Sequence, residues 1–241
     1  MLKGMEKECR VGTSGYFYRG WRGVFYPEDL PLSEYFAYYQ RHFDTVEVNA
    51  SFYRFPTRET VRRWYREAGE GFLYAVKAHR EITHQTRFKK PERVRAFYEV
   101  VADLGEKLGP VLFQLPPSFR YSEENLDRLL SAMDPNFKNA VEFRHASWWD
   151  EAVYRALREA KVAFVSVSAP GLPEAFVDTA FAYLRFHGRT AWYKDDYSEE
   201  ALRAWAERAK GHRPLFAYFN NTDRGHAPKN ALRFKELACR S

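Results

Sequence analysis

The sequence predicts an α/β fold of the (β/α)8 TIM-barrel class, formed by a single domain. Eight short apolar runs alternate with eight connecting segments, and seven of these segments have helical periodicity with start and stop signals. The runs are apolar at nearly every position, which is typical of parallel strands covered by helices. Eight such units in 241 residues match the size of a closed barrel. We therefore expect one domain over residues 1–241, with its core at about 10–238.

The predicted strands are the eight apolar runs in chain order. They cover residues 11–16, 45–52, 73–79, 111–117, 139–145, 162–168, 181–189 and 215–221. An open doubly wound sheet is the alternative arrangement. It is disfavoured because the first run lacks the GxGxxG loop that such sheets use to bind dinucleotides.

The predicted helices follow from capping residues and apolar spacing. Ser33 and Thr57 have the side chains of N-caps, Pro91 is typical of a first helical turn, and Glu123 complements a helix dipole. The helices are expected at residues 33–43, 57–68, 91–108, 122–133, 150–160, 198–209 and 228–238. The segment 171–180 is short, and its helix is doubtful.

Composition excludes several classes of protein. No stretch of 18 uncharged apolar residues exists, so no membrane span is expected, and the N-terminus lacks the apolar region of a signal peptide. We therefore expect a cytoplasmic protein that does not bind membranes. The net charge of +6 favours anionic partners, either an anionic small molecule or nucleic acid, and leaves the oligomeric state open.

The two cysteines allow two interpretations. Cys9 and Cys239 have no CxxC spacing, so two free thiols are the default expectation. However, the first strand begins and the last helix ends at the same face of a barrel, so a disulfide between them is the alternative. A Cα separation above about 7 Å would exclude that bond.

Polar residues spaced two apart lie near the carboxyl ends of the predicted strands. Side chains two apart on a strand share a face, so each pair is expected to point into the barrel mouth. The pairs are Glu47/Asn49, Lys77/His79, Glu142/Arg144, Ser166/Ser168, Arg185/His187 and Tyr218/Asn220. Packing alone would favour apolar residues at such positions, because burying unpaired charge is costly. The pattern therefore predicts a functional site.

Six segments in this order carry a resemblance to a known family. They are VGTSGY, VEVNASFY, FQLPPSF, VEFRHASWW, RFHGR and YFNNT. The chain resembles the YecE-like family, also called domain of unknown function 72, from about residue 11 to 238. The resemblance implies a TIM barrel, in agreement with the strand count, and implies no established activity. The family's structural likeness to endonuclease-IV-type barrels suggests a nucleic-acid role.

The charges at the predicted mouth favour an anion over a metal. Lys77, Arg144 and Arg185 face Glu47 and Glu142, which leaves a positive surplus that would repel a metal cation. We expect no metal and no cofactor. The expected catalytic residues are Glu47, Lys77, Glu142 and His187. The expected substrate-binding residues are Ser14, Asn49, His79, Gln114, Arg144, Trp148, Arg185, Arg189, Tyr218 and Asn220.

Three functions remain open for this site. The first is a metal-independent hydrolase or lyase that acts on a phosphate-bearing substrate such as a nucleic-acid phosphodiester, with Glu47 as general acid or base and His187 in reserve. The second is a sugar-phosphate isomerase or aldolase in which Lys77 forms a Schiff base. The third is a non-catalytic binding module for nucleic acid or a phosphorylated metabolite.

Overall fold

Eight parallel strands form the framework of the molecule. The computed structural model describes residues 8–239. The strands are β1 (Cys9–Thr13), β2 (Thr45–Val48), β3 (Leu73–Lys77), β4 (Leu108–Gln114), β5 (Asn139–Glu142), β6 (Val162–Ser168), β7 (Ala182–Phe186) and β8 (Leu215–Phe219). Each pairs in parallel with its neighbours in the order β1-β8-β7-β6-β5-β4-β3-β2. The prediction of a (β/α)8 TIM barrel is confirmed.

The barrel closes between β1 and β2 through few ladder bonds and one tyrosine. Gly15 N donates to Glu47 O at 2.8 Å. The Tyr39 hydroxyl accepts from Thr13 N and donates to Thr45 O, both at 3.0 Å. A side chain at Gly12 would place its Cβ 2.3 Å from Thr45 O, so the two strands approach this closely only with glycine there.

Helices cover the outside of the barrel. They are α1 (Tyr35–Gln40), α2 (Ala50–Tyr53), α3 (Arg58–Glu67), α4 (Pro91–Val101), α5 (Glu123–Ala132), α6 (Glu151–Glu159), α7 (Glu199–Ala209) and α8 (His226–Ala238). Thr57 caps α3 as predicted and Ser122 caps α5, each accepting from a backbone N–H three residues on. The predicted cap at Ser33 is not found, because Ser33 lies within a 3₁₀ turn (Leu32–Glu34) and α1 begins without a side-chain cap. Among residues 8–239, no helix has the length and apolar composition that crossing a membrane requires.

The sixth connection contains no helix between β6 and β7. Pro170, Gly171 and Pro173 oppose helix formation there. The chain instead runs along β6, where Thr179 Oγ1 donates to Val162 O at 2.6 Å and Ser166 Oγ accepts from Val177 N at 2.8 Å. These bonds give hydrogen-bond partners to buried polar groups of β6, which a helix packed at this place would not provide.

The same segment explains why one predicted pair does not face the mouth. Ser166 and Ser168 point outward from β6, toward residues 174–177. The inward positions of this strand are held by Val165 and Val167. The expectation that the two serines face the mouth was therefore wrong, because the alternate residues of β6 are the ones that point inward.

The barrel interior is filled unevenly. Ala75, Ala140 and Ala163 line it on the side of β3, β5 and β6, while Tyr183 and Phe216 fill it from β7 and β8. Small side chains on one side make room for large aromatic rings on the other, which gives a packed interior. The polar residues of the mouth lie above this layer.

A disulfide joins the two ends of the described chain. Cys9 and Cys239 are bonded, with a Cα separation of 5.6 Å. The expectation of two free thiols is corrected, because β1 begins and α8 ends at the same face of the barrel. The alternative disulfide interpretation is the one that the structure supports.

Candidate functional site

Arg185 lies at the centre of a charged network inside the barrel mouth. Its guanidinium, from β7, bridges Glu47 of β2 and Glu142 of β5, with N–O distances of 2.5 Å on both sides. The arginine side chain is 1% exposed and both carboxylates are fully buried. Barrel closure thus brings together three of the predicted residues from distant parts of the chain.

Glu47 has its hydrogen-bonding capacity filled from three directions. Ser14 Oγ donates to its Oε1 and the Tyr183 hydroxyl donates to its Oε2, both at 2.7 Å. Tyr183 was missed by the sequence prediction, although it lies two positions before Arg185 and so shares its face. Burial, Glu47 and Tyr218 together hold the pKa of the Tyr183 hydroxyl well above its usual value.

Glu142 is ionised and held by two arginines. Its Oε1 accepts from Arg144 Nε, and its Oε2 accepts from Arg185. Burial alone would raise the pKa of this carboxyl, but the two guanidinium groups outweigh burial and hold it well below its usual range.

His187 is a neutral ring beside the same pair. Burial, followed by Arg144 and Arg185, lowers the pKa of His187 to about 3, although Glu142 acts in the opposite direction. Asn220 Nδ2 lies 3.1 Å from the ring Nδ1. The ring Nε2 lies 3.3 Å from Glu142 Oε1 and 3.2 Å from Arg144 Nη2, so it faces an acceptor and a donor together.

Lys77 lies in the mouth without a polar partner. Its side chain extends from the end of β3, is 9% exposed, and places Nζ 4.0 Å from the centre of the Phe52 ring. Among residues 8–239, no acceptor lies within hydrogen-bonding distance of this amine. Burial, followed by the charge of Arg185, lowers the pKa of Lys77 to about 7, against the opposing pull of Glu142.

The electrostatic potential around Lys77 remains positive. Burial and then the cations of Lys77 and Arg144 lower the pKa of nearby His84 to about 4, so this ring is neutral as well. Arg144 is 11% exposed, and its guanidinium stacks 4.4 Å from the Trp192 ring. Among the charged groups of the mouth, Lys77 and Arg144 therefore keep the most exposure.

Three further predicted residues support the site from its walls. Tyr218 is fully buried, and its hydroxyl lies 2.8 Å from Thr45 Oγ1, below Glu47. Gln114 points to the barrel axis and donates to Leu115 O at 2.7 Å. Asn49 is partly buried, and its Oδ1 has no hydrogen-bond partner within the described chain.

Two other predicted residues, His79 and Trp148, lie away from this cluster. His79 follows the end of β3, so strand parity no longer applies, and its ring contacts Phe55 at 5.6 Å outside the barrel. Trp148 is fully buried, stacked 4.1 Å from Phe143, with Nε1 donating to Phe119 O. A ring packed in this way is closed to a ligand.

Arg189 lies in a separate cleft beside the mouth. The cleft has a volume of 690 Å³ between the loops that follow β6 and β7, and it contains none of Glu47, Lys77 and Glu142. Arg189 Nε is 3.7 Å from Glu174 Oε1, and the arginine side chain is 54% exposed. The acidic residues that line this cleft already bind neighbouring groups, so we regard the mouth at Lys77 as the candidate site.

One curated relative matches nearly the whole chain, and another matches about half of it. The chain is 27% identical over 270 residues to the UPF0759 protein YunF of Bacillus subtilis, covering 94% of this chain and 93% of that protein. It is 30% identical over 113 residues to the UPF0759 protein YecE of Escherichia coli K12, covering 46% of this chain and 42% of that protein.

Solved structures agree with the fold. A DUF72 family protein from Thermotoga maritima matches with a TM-score of 0.86 and 31% identity, over 95% of this chain and 98% of that one. A DUF72 family protein from Enterococcus faecalis matches with a TM-score of 0.84 and 21% identity, over 97% and 96% of the two chains. The model of the family described as "Protein of unknown function DUF72" matches residues 10–240, and the chain therefore belongs to that family.

Proposed function

We propose that the protein is an enzyme that binds a small anionic carbonyl compound at the mouth and uses Lys77 as its reacting amine. One observation carries the proposal: Lys77 is 9% exposed, has no hydrogen-bond acceptor among the described residues, and has a pKa lowered to about 7. Near neutral pH about half of this amine is unprotonated, whereas an ordinary lysine is almost entirely charged.

The state of the two glutamates favours amine chemistry over hydrolysis by a carboxylate base. Glu142 is held ionised by two guanidinium groups, with a pKa far below the range of an efficient general base. Glu47 is fully buried, and its oxygens already accept from Ser14, Tyr183 and Arg185. Neither carboxylate is free to take a proton from a substrate.

The anionic character of the substrate follows from the cations beside Lys77. Arg144 binds Glu142 through Nε and retains N–H groups at its partly exposed edge. Such a fork suits a phosphate or carboxylate group. A small molecule fits better than a polymer, because the Lys77 residue is only 9% exposed at the barrel mouth.

The proposed covalent step is imine formation. The neutral Nζ of Lys77 attacks the substrate carbonyl carbon, and a C–N bond forms. The carbonyl oxygen takes one proton from this nitrogen and one from solvent, the C–O bond breaks, and the oxygen leaves as water. The resulting imine nitrogen is protonated and positively charged, which makes the adjacent carbon acidic and allows isomerisation or carbon–carbon cleavage.

Borohydride trapping tests the proposal with a matched pair of probes. Dihydroxyacetone phosphate and dihydroxyacetone carry the same carbonyl group and differ in the phosphate. We expect reduction by borohydride to fix the phosphorylated probe on Lys77 at least about tenfold faster, equivalent to one charge-assisted hydrogen bond. Peptide mapping by mass spectrometry identifies the lysine, and the rate should rise with pH to a midpoint near the Lys77 pKa of about 7.

Two variants control the experiment. Lys77→Arg keeps the positive charge but cannot form an imine, so the adduct should disappear, whereas Lys89→Gln removes an exposed lysine and should change nothing. Trapping on Lys77 that is no faster than on surface lysines would exclude the proposal. Salt-sensitive binding of a single-stranded oligonucleotide, unchanged in Lys77→Arg, would favour the nucleic-acid binding module instead.

A further inference from the structure

A second cleft lies at the face of the barrel opposite the Lys77 site. It has a volume of 660 Å³, and the Cys9–Cys239 disulfide lines it together with the ends of α7 and α8. Both cysteines are only partly buried. The two bonded cysteines therefore border an open cleft while packing against the edge of the core.

The wall of this cleft has a surplus of positive charge. Arg203, Lys210 and Arg213 line it, against the single carboxylate of Glu207. Lys210 Nζ lies 3.3 Å from Glu207 Oε1, but both side chains are 74% exposed, so water screens this pair. Arg203 also pairs with Glu199 at 2.7 Å, but these side chains are 60% and 48% exposed, so water screens that pair too.

Arg213 contributes a cation that is not neutralised. Its guanidinium donates to the carbonyl oxygens of His212 and Ala238, both at 2.7 Å, and contacts no carboxylate in the described part of the chain. These neutral acceptors hold the side chain in place without cancelling its charge. An anion entering the cleft would therefore meet a fixed cation beside the disulfide.

We propose that the Cys9–Cys239 disulfide is a thiol-exchange site that is modified by an anionic low-molecular-weight thiol, namely a small peptide or amino-acid thiol that carries carboxylates. The positive wall binds the carboxylates and brings the thiolate to the sulfur–sulfur bond. This modification site is independent of the reaction proposed for Lys77.

The exchange balances without an external oxidant. The incoming thiolate attacks Sγ of one cysteine, a new S–S bond forms, and the Cys9–Cys239 bond breaks. The electron pair of the broken bond stays on the second cysteine, which leaves as a thiolate and is then protonated by water. The nearby cations favour this step twice, because they attract the anionic reagent and stabilise the departing thiolate.

Three thiols of different charge test the proposal on the oxidised full chain. Glutathione is the anionic probe, 2-mercaptoethanol the neutral one and cysteamine the cationic one. Adduct formation is followed by intact-protein mass spectrometry after acid quenching, and each rate is divided by the thiolate concentration. We expect glutathione to react at least about threefold faster than cysteamine, and the difference to shrink in high salt.

Charge variants distinguish electrostatic attraction of an anionic thiol from the simple access of any thiol to the disulfide. Lys210→Gln combined with Arg203→Gln should lower the glutathione rate and leave the 2-mercaptoethanol rate unchanged. Lys229→Gln removes an exposed lysine that pairs with Asp196, outside the cleft, and is the matched control. Equal rates for the three thiols, or exchange that is no faster than global unfolding measured in parallel, would overturn the proposal.

Discussion

Replacing Arg185 with methionine removes the charge that joins two buried carboxylates. In the described chain, Arg185 is the cation that pairs with Glu47, while Glu142 keeps Arg144 as a second partner. The variant therefore leaves Glu47 buried with only hydroxyl donors around it. Removing one partner of a buried ion pair costs about 3–5 kcal/mol. We expect a loss of about 4 kcal/mol in the free energy of unfolding, or a fall in Tm of about 8–16 °C for a chain of this size.

Urea unfolding at pH 7, followed by tryptophan fluorescence and circular dichroism, measures this loss. A second substitution then identifies its source. The double variant adds Glu47→Gln to Arg185→Met. It removes the unpaired charge of Glu47, and the amide of the new glutamine can still hydrogen-bond to Ser14 and Tyr183. We expect this double variant to recover about 2 kcal/mol relative to Arg185→Met alone, because a buried unpaired charge costs more than a buried paired dipole.

Arg233→Met is the matched control on the surface. Arg233 also lies between two carboxylates, those of Glu199 and Glu236, but its side chain is 37% exposed. Its removal should change stability far less, because water solvates the two glutamates left behind. The reasoning would be refuted if Arg185→Met cost no more than Arg233→Met, or if adding Glu47→Gln destabilised the protein further.

Three further predictions concern other parts of the molecule. Below pH 6.5 the unfolded His187 ring takes a proton that the folded ring does not accept until about pH 3, so the free energy of unfolding decreases as the pH is lowered from 6.5 to 3. His187→Gln should flatten that pH dependence in urea titrations. Lys77→Met should raise the pKa of His84 above its value of about 4, measured from NMR ring shifts, because the Lys77 cation helps to lower it. Replacing both Cys9 and Cys239 with serine should cost up to about 5 kcal/mol in urea unfolding, since their bond closes a separation of 230 residues, and reduction of the native protein should give the same loss.

The position of the charged network was predictable because it depends only on strand parity and barrel closure. Glu47, Glu142 and Arg185 each lie at an inward position near the carboxyl end of a buried strand. In a closed parallel barrel such positions meet on one axis, whatever the loops do. The meeting of these three residues therefore follows from the strand pattern, although the same pattern assigned Ser166 and Ser168 of β6 to the wrong face.

Residues beyond the strand ends were not predictable in the same way. β3 ends at Lys77, and the chain then turns, so His79 leaves the face that alternation would give it. Trp148 lies in a short turn after β5, where packing against Phe119 and Phe143 decides its direction. Periodicity carries information only where the backbone is regular.

The charge of the site also depends on distances that a sequence does not contain. Counting the charged residue types at the mouth gives three cations, one of which is Lys77, against two carboxylates. In the folded chain Arg185 neutralises parts of both glutamates, and burial beside this arginine removes much of the charge from Lys77. The surplus predicted for the mouth is therefore smaller at neutral pH than the residue count implies.

This partial neutralisation supports a role for the network in the proposed reaction. The Lys77 amine is neutral enough to attack a carbonyl because Arg185 and burial disfavour its protonated form. The protonated imine that follows is positively charged, and an anionic group of the substrate held at Arg144 would stabilise that charge. The anion therefore interacts more strongly with the intermediate than with the free amine, which is the differential binding that accelerates a reaction. A neutral carbonyl compound lacks this interaction, so the phosphate of the trapping probe should affect the rate of imine formation as well as binding.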